Sequence, residues 1–478
     1  METPFFLPWR ARLGSMGRRV QVVRQQSLCH LDLLFGPLLP PGLLAQAEDG
    51  PNSRERIFSV RRTFFGFLYQ VLNPDCSCRE VVRQIQALFA LHGRGRVAGG
   101  TGGYSQARTR LPWDILPRLR CAAAAQADQA RRLWRGRCVK VVDGTTTSLP
   151  DTAKNQRAYP QSKAQRPGCG FPLLKLVGVF SLATGALLDY AKGNKHQHEL
   201  GLLQRLLHQF KPGDLVLADR GFSTYTLLAL LWSRGVASLF RLHQARTVDL
   251  RKGQRLGKND RLFVWQKPWL RPAYLPKARW QLIPKQLSVR VLRFSLHTPG
   301  FRVRSVTLVT TLLDPEKYPA EELAYLYAER WRVELWFRDI KTSMGMEVLH
   351  CQSPKMVHKE LEMFFIAYNL MRCLMAEASV SYHVGTGWLS FKGTVDSVRQ
   401  FAGAIAQARS RKQQKQLYNK LIEVIARDQL PERFGRCEPR AVKRRPKPYP
   451  LLNRPRKQFK EVPHRNRYWK NHPRKSRG

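Results

Sequence analysis

The stretch Tyr327-Ala-Glu-Arg-Trp-Arg-Val-Glu-Leu-Trp-Phe-Arg-Asp-Ile-Lys341 decides how this chain is read. It contains neither Pro nor Gly and has a helical period. At about 100° per residue, Tyr327, Arg330, Glu334 and Lys341 fall within an arc of roughly 60°. One acid thus lies among three side chains suited to phosphate. A neighbouring apolar stripe of Leu326, Val333, Phe337, Ile340 and Met344 would seat the helix on a core. The polar stripe then lies at the rim of that core, with Glu329 flanking the apolar stripe and with Arg332 and Asp339 on the far, solvated side. An ordinary amphipathic helix with i,i+3 and i,i+4 charge pairs has the same pattern, so the stretch alone leaves both readings open.

Length and charge narrow the choice. At 478 residues the chain has room for two to four domains. Its 82 Lys and Arg against 34 Asp and Glu give a formal charge of +48, which calls for a polyanionic partner. Nine scattered cysteines lack the regular spacing of a secreted disulfide scaffold, and Cys76-x-Cys78 has no second close pair to complete a zinc site. No apolar run approaches the roughly 18 to 20 residues of a membrane span. Arg18 to Arg24 followed by Leu31 to Leu44 imitates a secretory signal, but it starts well inside the chain and is broken by Asp32, Gly36, Pro37, Pro40 and Pro41. The expectation is a protein of the reduced cytosol with no membrane partner.

Read in order, residues 1–54 are Pro- and Arg-rich without a sustained period and predict a loosely ordered extension. Residues 55–130 turn helical at Phe64 to Leu72, Cys78 to His92 and Tyr104 to Leu111, with a last turn or two after Pro117. With Arg79, Arg83, Arg108 and Arg110 they suit a helical DNA-binding domain, or a small bundle that only packs. Residues 131–243 become αβ. Val139 to Val142 is a strand ending at Asp143, and strands Phe171 to Leu182 and Ala186 to Ala191 are joined by a Thr184-Gly185 turn. A helix His196 to Phe210, a strand Leu215 to Ala218 ending at Asp219, a helix Ser223 to Arg234 and a strand Ala237 to Leu242 follow. That order predicts an RNase H-like α/β core. Residues 244–312 read as a β-rich insertion, and the alternation of Leu287 to Leu296 slips phase at Val291-Leu292 as at a β-bulge. Residues 313–403 resume the core with the Glu334 helix and a helix Met356 to Arg372; residues 404–478 are a helical segment and a basic tail. From Arg433 onward 17 Lys or Arg face only Glu438 and Glu461. Such a tail cannot fold alone, and with Tyr449, Phe459, Tyr468 and Trp469 it suits backbone contact plus stacking.

Two strands each ending in Asp, followed downstream by Glu on a helix, make a constellation with a mechanism. Asp143, Asp219 and Glu334 at close range repel one another unless cations lie between them. Two Mg²⁺ ions, for which Mn²⁺ can substitute, would meet that need and clamp an in-line phosphoryl displacement. A single Asp after a strand is more often a turn or cap residue. The rival acids read poorly: Asp151 and Asp214 sit in turns, Asp189 has no helix partner, and Asp339 lies across the helix from Glu334. His196, His198 and Glu199 read poorly as a metal site, because side chains two apart on a helix diverge.

The spacing Tyr327-x₂-Arg330-x₃-Glu334-x₆-Lys341 resembles the signature of the insertion-sequence-four family of bacterial DDE transposases at every position. Similar family blocks are Thr101 to Pro112, Val142 to Gln156, Gly168-Cys-Gly-Phe-Pro172, Gly213 to Phe222 and Ala367 to Arg372. The resemblance implies that Asp143, Asp219 and Glu334 are the catalytic, metal-binding acids. It implies that Tyr327, Arg330 and Lys341 guide DNA phosphates, and that a β-rich insert separates the second acid from the third. A DDE transposase would bind the terminal inverted repeats of its element as a homodimer, cut there and join the freed 3′ end to target DNA. Some relatives cut the second strand through a hairpin, for which Trp265, Trp269 and Trp280 of the β-rich segment are candidate stacking partners. Other readings are an RNase H-like nuclease without strand transfer and a domesticated or inactive DNA-binding protein.

Overall fold

The structure, a computed structural model, describes residues 29–40, 42–45, 56–74, 76–91, 93, 95–163, 165–295, 305–431 and 452–459. The expectations for residues 1–28 and for most of the basic tail, including Tyr449, Tyr468 and Trp469, lie outside the described residues. The fold is mixed α/β around one nine-stranded sheet. Its strands are β1 (Val139–Ser148), β2 (Leu173–Ser181), β3 (Leu187–Gly193), β4 (Leu215–Ala218), β5 (Ala237–Arg241), β6 (Gln254–Gly257), β7 (Asp260–Gln266), β8 (Gln286–Ser295) and β9 (Ser305–Thr310). The strand order is β3-β2-β1-β4-β5-β9-β8-β7-β6. β1, β2 and β3 pair antiparallel, β4 and β5 run parallel to β1, and the β-rich segment adds four antiparallel strands to the same sheet.

The helices used below are α1 (Cys29–Phe35), α2 (Val60–Leu72), α3 (Cys78–Leu91), α4 (Gly102–Arg110), α5 (Ile115–Asp128), α6 (Glu199–Leu203), α7 (Tyr225–Trp232), α8 (Ala320–Ala328), α9 (Arg332–Arg338), α10 (Pro354–Ser381), α11 (Phe391–Gln407) and α12 (Arg411–Arg427). Side chains alternate across a strand, and the two faces of β1 and β4 carry different cores. Val141, Leu215 and Leu217 join the apolar faces of α1, α2, α5 and α8 to α12. Val142, Val216 and Ala218 join α6 and α7 on the opposite side. The sheet is therefore a middle layer between two helical layers.

Several boundaries differ from the sequence expectation. Residues 29–45 are not wholly a loose extension: Leu31, Leu34, Phe35, Leu39 and Leu44 are buried in the first core. The turn expected after Pro117 is the full helix α5, because Pro in the first turn has no intrahelical N–H bond to lose. α5 also belongs to the core, since Arg120 donates to Glu362 at 3.0 Å and to Asp189 at 2.8 Å. α2 joins that core as well, whereas α3 and α4 share a small cluster of their own around Val81, Val82, Ile85 and Tyr104. No bulge occurs at Val291-Leu292, where the registers with β7 and β9 run through unbroken. The phase slip arises because β8 is covered on both faces. Fully buried Arg290 pairs with Asp260 and donates to the Tyr318 carbonyl at 2.6 Å. The helix expected from His196 begins at Glu199 and gives way to a 3₁₀ stretch over Gln204–Gln209. α10 is long and apolar enough for a membrane span, yet it is packed inside the protein between α5 and the remaining helices.

Candidate active site

β1 does not end at Asp143. It continues to Ser148, paired with β2, with Asp143 opposite Gly178. What ends there is β4: the β1–β4 ladder stops at Val142 opposite Ala218. Asp143 and Asp219 are thus the next residues on two adjacent parallel strands. By parity with Val141 and Leu217 they are on the same face. Beyond them, among the described residues, no strand pairs with β1 on its β4 side.

The helical run from Ala320 packs on that face and changes pitch twice. A 3₁₀ turn, Glu329–Trp331, separates α8 from α9, and a π-helical turn, Asp339–Ser343, follows α9. Leu326, Val333, Phe337, Ile340 and Met344 are all buried, as their stripe predicts. The seat is local: a Cβ on Gly178 would come 3.3 Å from Phe337 and closer still to Phe180, so glycine opposite Asp143 lets Phe337 settle there. Glu334, nearly one turn earlier, is thereby brought to Asp143. The solvated side expected for Asp339 is instead buried, because Arg372 of α10 binds its carboxylate at 3.2 Å.

Arg330 joins two of the acids. Its Nη2 donates to Glu334 Oε1 at 3.1 Å and its Nη1 lies 3.5 Å from Asp143 Oδ2. Burial pushes the Asp143 carboxyl up to about 6; the Gly144 N–H, donating at 2.8 Å, and Arg330 oppose that rise, while Glu334 and Asp219 add to it. Tyr327 is buried under Arg330, and its hydroxyl donates to the Ala218 carbonyl at 3.4 Å; burial raises its pKa. Lys341, on the π turn, reaches the Thr146 carbonyl at 2.9 Å, and burial lowers its pKa against the pull of Glu347. A cleft of about 300 Å³ opens here, lined by Asp143, Thr145, Glu334, Lys341 and Glu347 among others. A larger cavity of about 700 Å³ behind α9 holds the Asp339–Arg372 pair and none of the three acids.

The rival acids are spent on structure. Asp151 pairs with Arg456, Asp189 with Arg120, Asp214 with Lys140, Asp260 with Arg290 and Asp339 with Arg372. Asp219 makes no side-chain hydrogen bond or ion pair among the described residues. The site thus keeps an unpaired acid next to a half-buried one. Sequence reading missed one neighbour, Glu347 in the cleft.

Comparison with known proteins fits this geometry. A family model described as Transposase DDE domain matches residues 134–370. Transposase InsG for insertion sequence element IS4, from Escherichia coli K12, is 29% identical over 446 residues, covering 90% of this chain and 96% of the relative. A probable transposase for insertion sequence element IS5377, from Geobacillus stearothermophilus, is 32% identical over 360 residues, 73% of this chain and 85% of that one.

The chain belongs to the DDE transposases of the IS4 family. This transposase is accordingly an enzyme of DNA transposition that uses a divalent metal. A cryo-EM structure of a piggyBac transposase synaptic complex with hairpin DNA aligns at a TM-score of 0.41 with 9% identity, over 84% of this chain and 85% of that one. The transposase's site fits a hard cation in chemistry, since every candidate ligand is a carboxylate oxygen. Among the described residues no three His, Cys, Asp or Glu stand close enough to share one ion. The Arg330 guanidinium instead lies between Asp143 and Glu334.

Proposed function

We propose that Asp143, Asp219 and Glu334 are the metal-binding catalytic acids of this transposase, and that it cuts its element's ends and joins the 3′ ends to target DNA. The observation that carries this reading is that Asp143 within β1, Asp219 just past β4 and Glu334 on α9 lie on one face, with Arg330 reaching both Asp143 and Glu334, while the rival Asp residues are neutralised by Arg or Lys. When bound, Mg²⁺ or Mn²⁺ supplies charge neutralisation and activation of the attacking oxygen, in the two-ion arrangement suited to phosphoryl transfer. The chain's own residues do the rest. Arg330, between two acids, is poised to exchange carboxylate partners for a DNA phosphate, and its fork geometry suits both. Lys341 would hold a second phosphate at the β1 end of the cleft. Tyr327 fixes Arg330 from beneath and ties it to the end of β4.

The strand order β3-β2-β1-β4-β5, with the first three antiparallel and the others parallel to β1, supports an RNase H-like core over 131–243 and 313–403. The segment 244–312 acts in this reading as an insertion that extends the sheet. We assign terminal-repeat binding to the helical region 55–130 and sequence-independent affinity to the basic tail, with the protein working as a homodimer on the bacterial nucleoid. The experiment is direct: purified protein, Mg²⁺ and a plasmid carrying the element's own ends. Excised and joined products support transposition. Cut but unjoined DNA would indicate a nuclease, and binding without cutting an inactive relative.

A further inference from the structure

We propose that Glu199 is a fourth carboxylate of the metal site, reaching the divalent ions from the opposite face of the sheet; this rests on the reading of Asp143 as a metal ligand. Glu199 opens α6, and its carboxylate lies against β1 at Gly144. A Cβ built on Gly144 would stand 2.6 Å from Glu199 Oε1 and 2.8 Å from its carboxyl carbon, so any side chain there would expel the acid. Glu199 makes no side-chain hydrogen bond or ion pair among the described residues. It is not a wandering surface acid either. Leu200, Leu202 and Leu203 anchor α6 in the second core, and the His198 ring accepts from the Leu200 N–H at 3.3 Å. A first-turn acid complements a helix's free N–H groups, but that role needs no contact with the backbone of β1.

Distances allow the reach. Asp143 Oδ1 lies 2.8 Å from the Gly144 nitrogen. The path through the Gly144 backbone to the Glu199 oxygen therefore bounds the separation of the two carboxylates at roughly 8 Å. Two Mg²⁺ ions some 3.5 to 4 Å apart, with ligands at about 2.1 Å, span roughly the same 8 Å between outermost oxygens. β4 stops at Ala218, so among the described residues no strand pairs with that edge of β1 beyond Val142.

The test counts Mn²⁺ bound to the full-length, DNA-free protein by electron paramagnetic resonance, for wild type, Glu199→Gln, Gly144→Ala and Asp143→Asn. Melting curves check that each variant is folded. The expected result is Mn²⁺ affinity lower by about tenfold or more in Glu199→Gln, a similar loss in Gly144→Ala, and little further loss when the two are combined. Wild-type binding in Glu199→Gln alongside lost binding in Asp143→Asn would overturn the role of Glu199 alone. Wild-type binding in Asp143→Asn as well would overturn the metal site itself, and Glu199 with it.

Discussion

Asp143 is held ionised at a cost, and replacing it should stabilise the metal-free protein. Its carboxyl, one-fifth exposed, is pushed from an ordinary 3.8 to about 6, chiefly by burial. A folded-state pKa above the unfolded one means that protonated Asp143 favours the fold. That contribution is complete below pH 3.8 and is lost as pH rises through about 6. At about 1.36 kcal/mol per pH unit, ionisation costs about 3 kcal/mol at pH 8 and about 1 kcal/mol at pH 4.5. Asn keeps the shape and the acceptor for the Gly144 N–H but carries no charge. Asp143→Asn, with a chelator present, should therefore melt several degrees above wild type at pH 8, and the gap should shrink at pH 4.5. Adding Mg²⁺ should raise wild type and leave the variant nearly unmoved. A variant no more stable at pH 8, or equally favoured at both pH values, would refute the argument that burial without a metal strains this site.

Asp260→Ala should destabilise the fold by about 3 to 5 kcal/mol by leaving buried Arg290 without its counter-charge, whereas Asp260→Leu with Arg290→Met should cost far less; thermal midpoints of both decide. Of the three candidate indoles, Trp265 is buried beneath Arg246 and Trp280 is half-covered by Lys267, while Trp269 is 91% exposed. Trp269→Ala should lower hairpin yield from pre-nicked ends on a denaturing gel while the first nick persists, and an unchanged yield would remove Trp269 from that step. Truncation at Arg433 should flatten the slope of log affinity against log salt in a gel-shift series, because the tail's cations displace counterions.

Local pattern made much of this legible. The five-residue apolar stripe on the Glu334 helix needs only a helical period, and the pairing of Tyr327, Arg330, Glu334 and Lys341 with the core rim follows from it. What stayed hidden depends on partners far along the chain. Val139 to Val142 looks like a whole strand because Gly144 and three Thr follow, yet β2 extends it to Ser148. Asp339 falls on the nominally wet side of its helix, and Arg372, 33 residues away, buries it. Arg290 reads as a break in alternation until Asp260 is placed beside it. By pattern Glu199 groups only with His196 and His198; the feature that singles it out is the missing side chain of Gly144, far earlier in the chain on β1.

The central claim is that three acids serve chemistry while the basic surface serves binding. Asp143→Ala, Asp219→Ala and Glu334→Ala should each abolish Mg²⁺-dependent cleavage of an oligonucleotide bearing the element's end, with gel-shift affinity for that DNA nearly unchanged. Cleavage surviving in any one of them, measured beside intact binding, would contradict that residue's place in the active site.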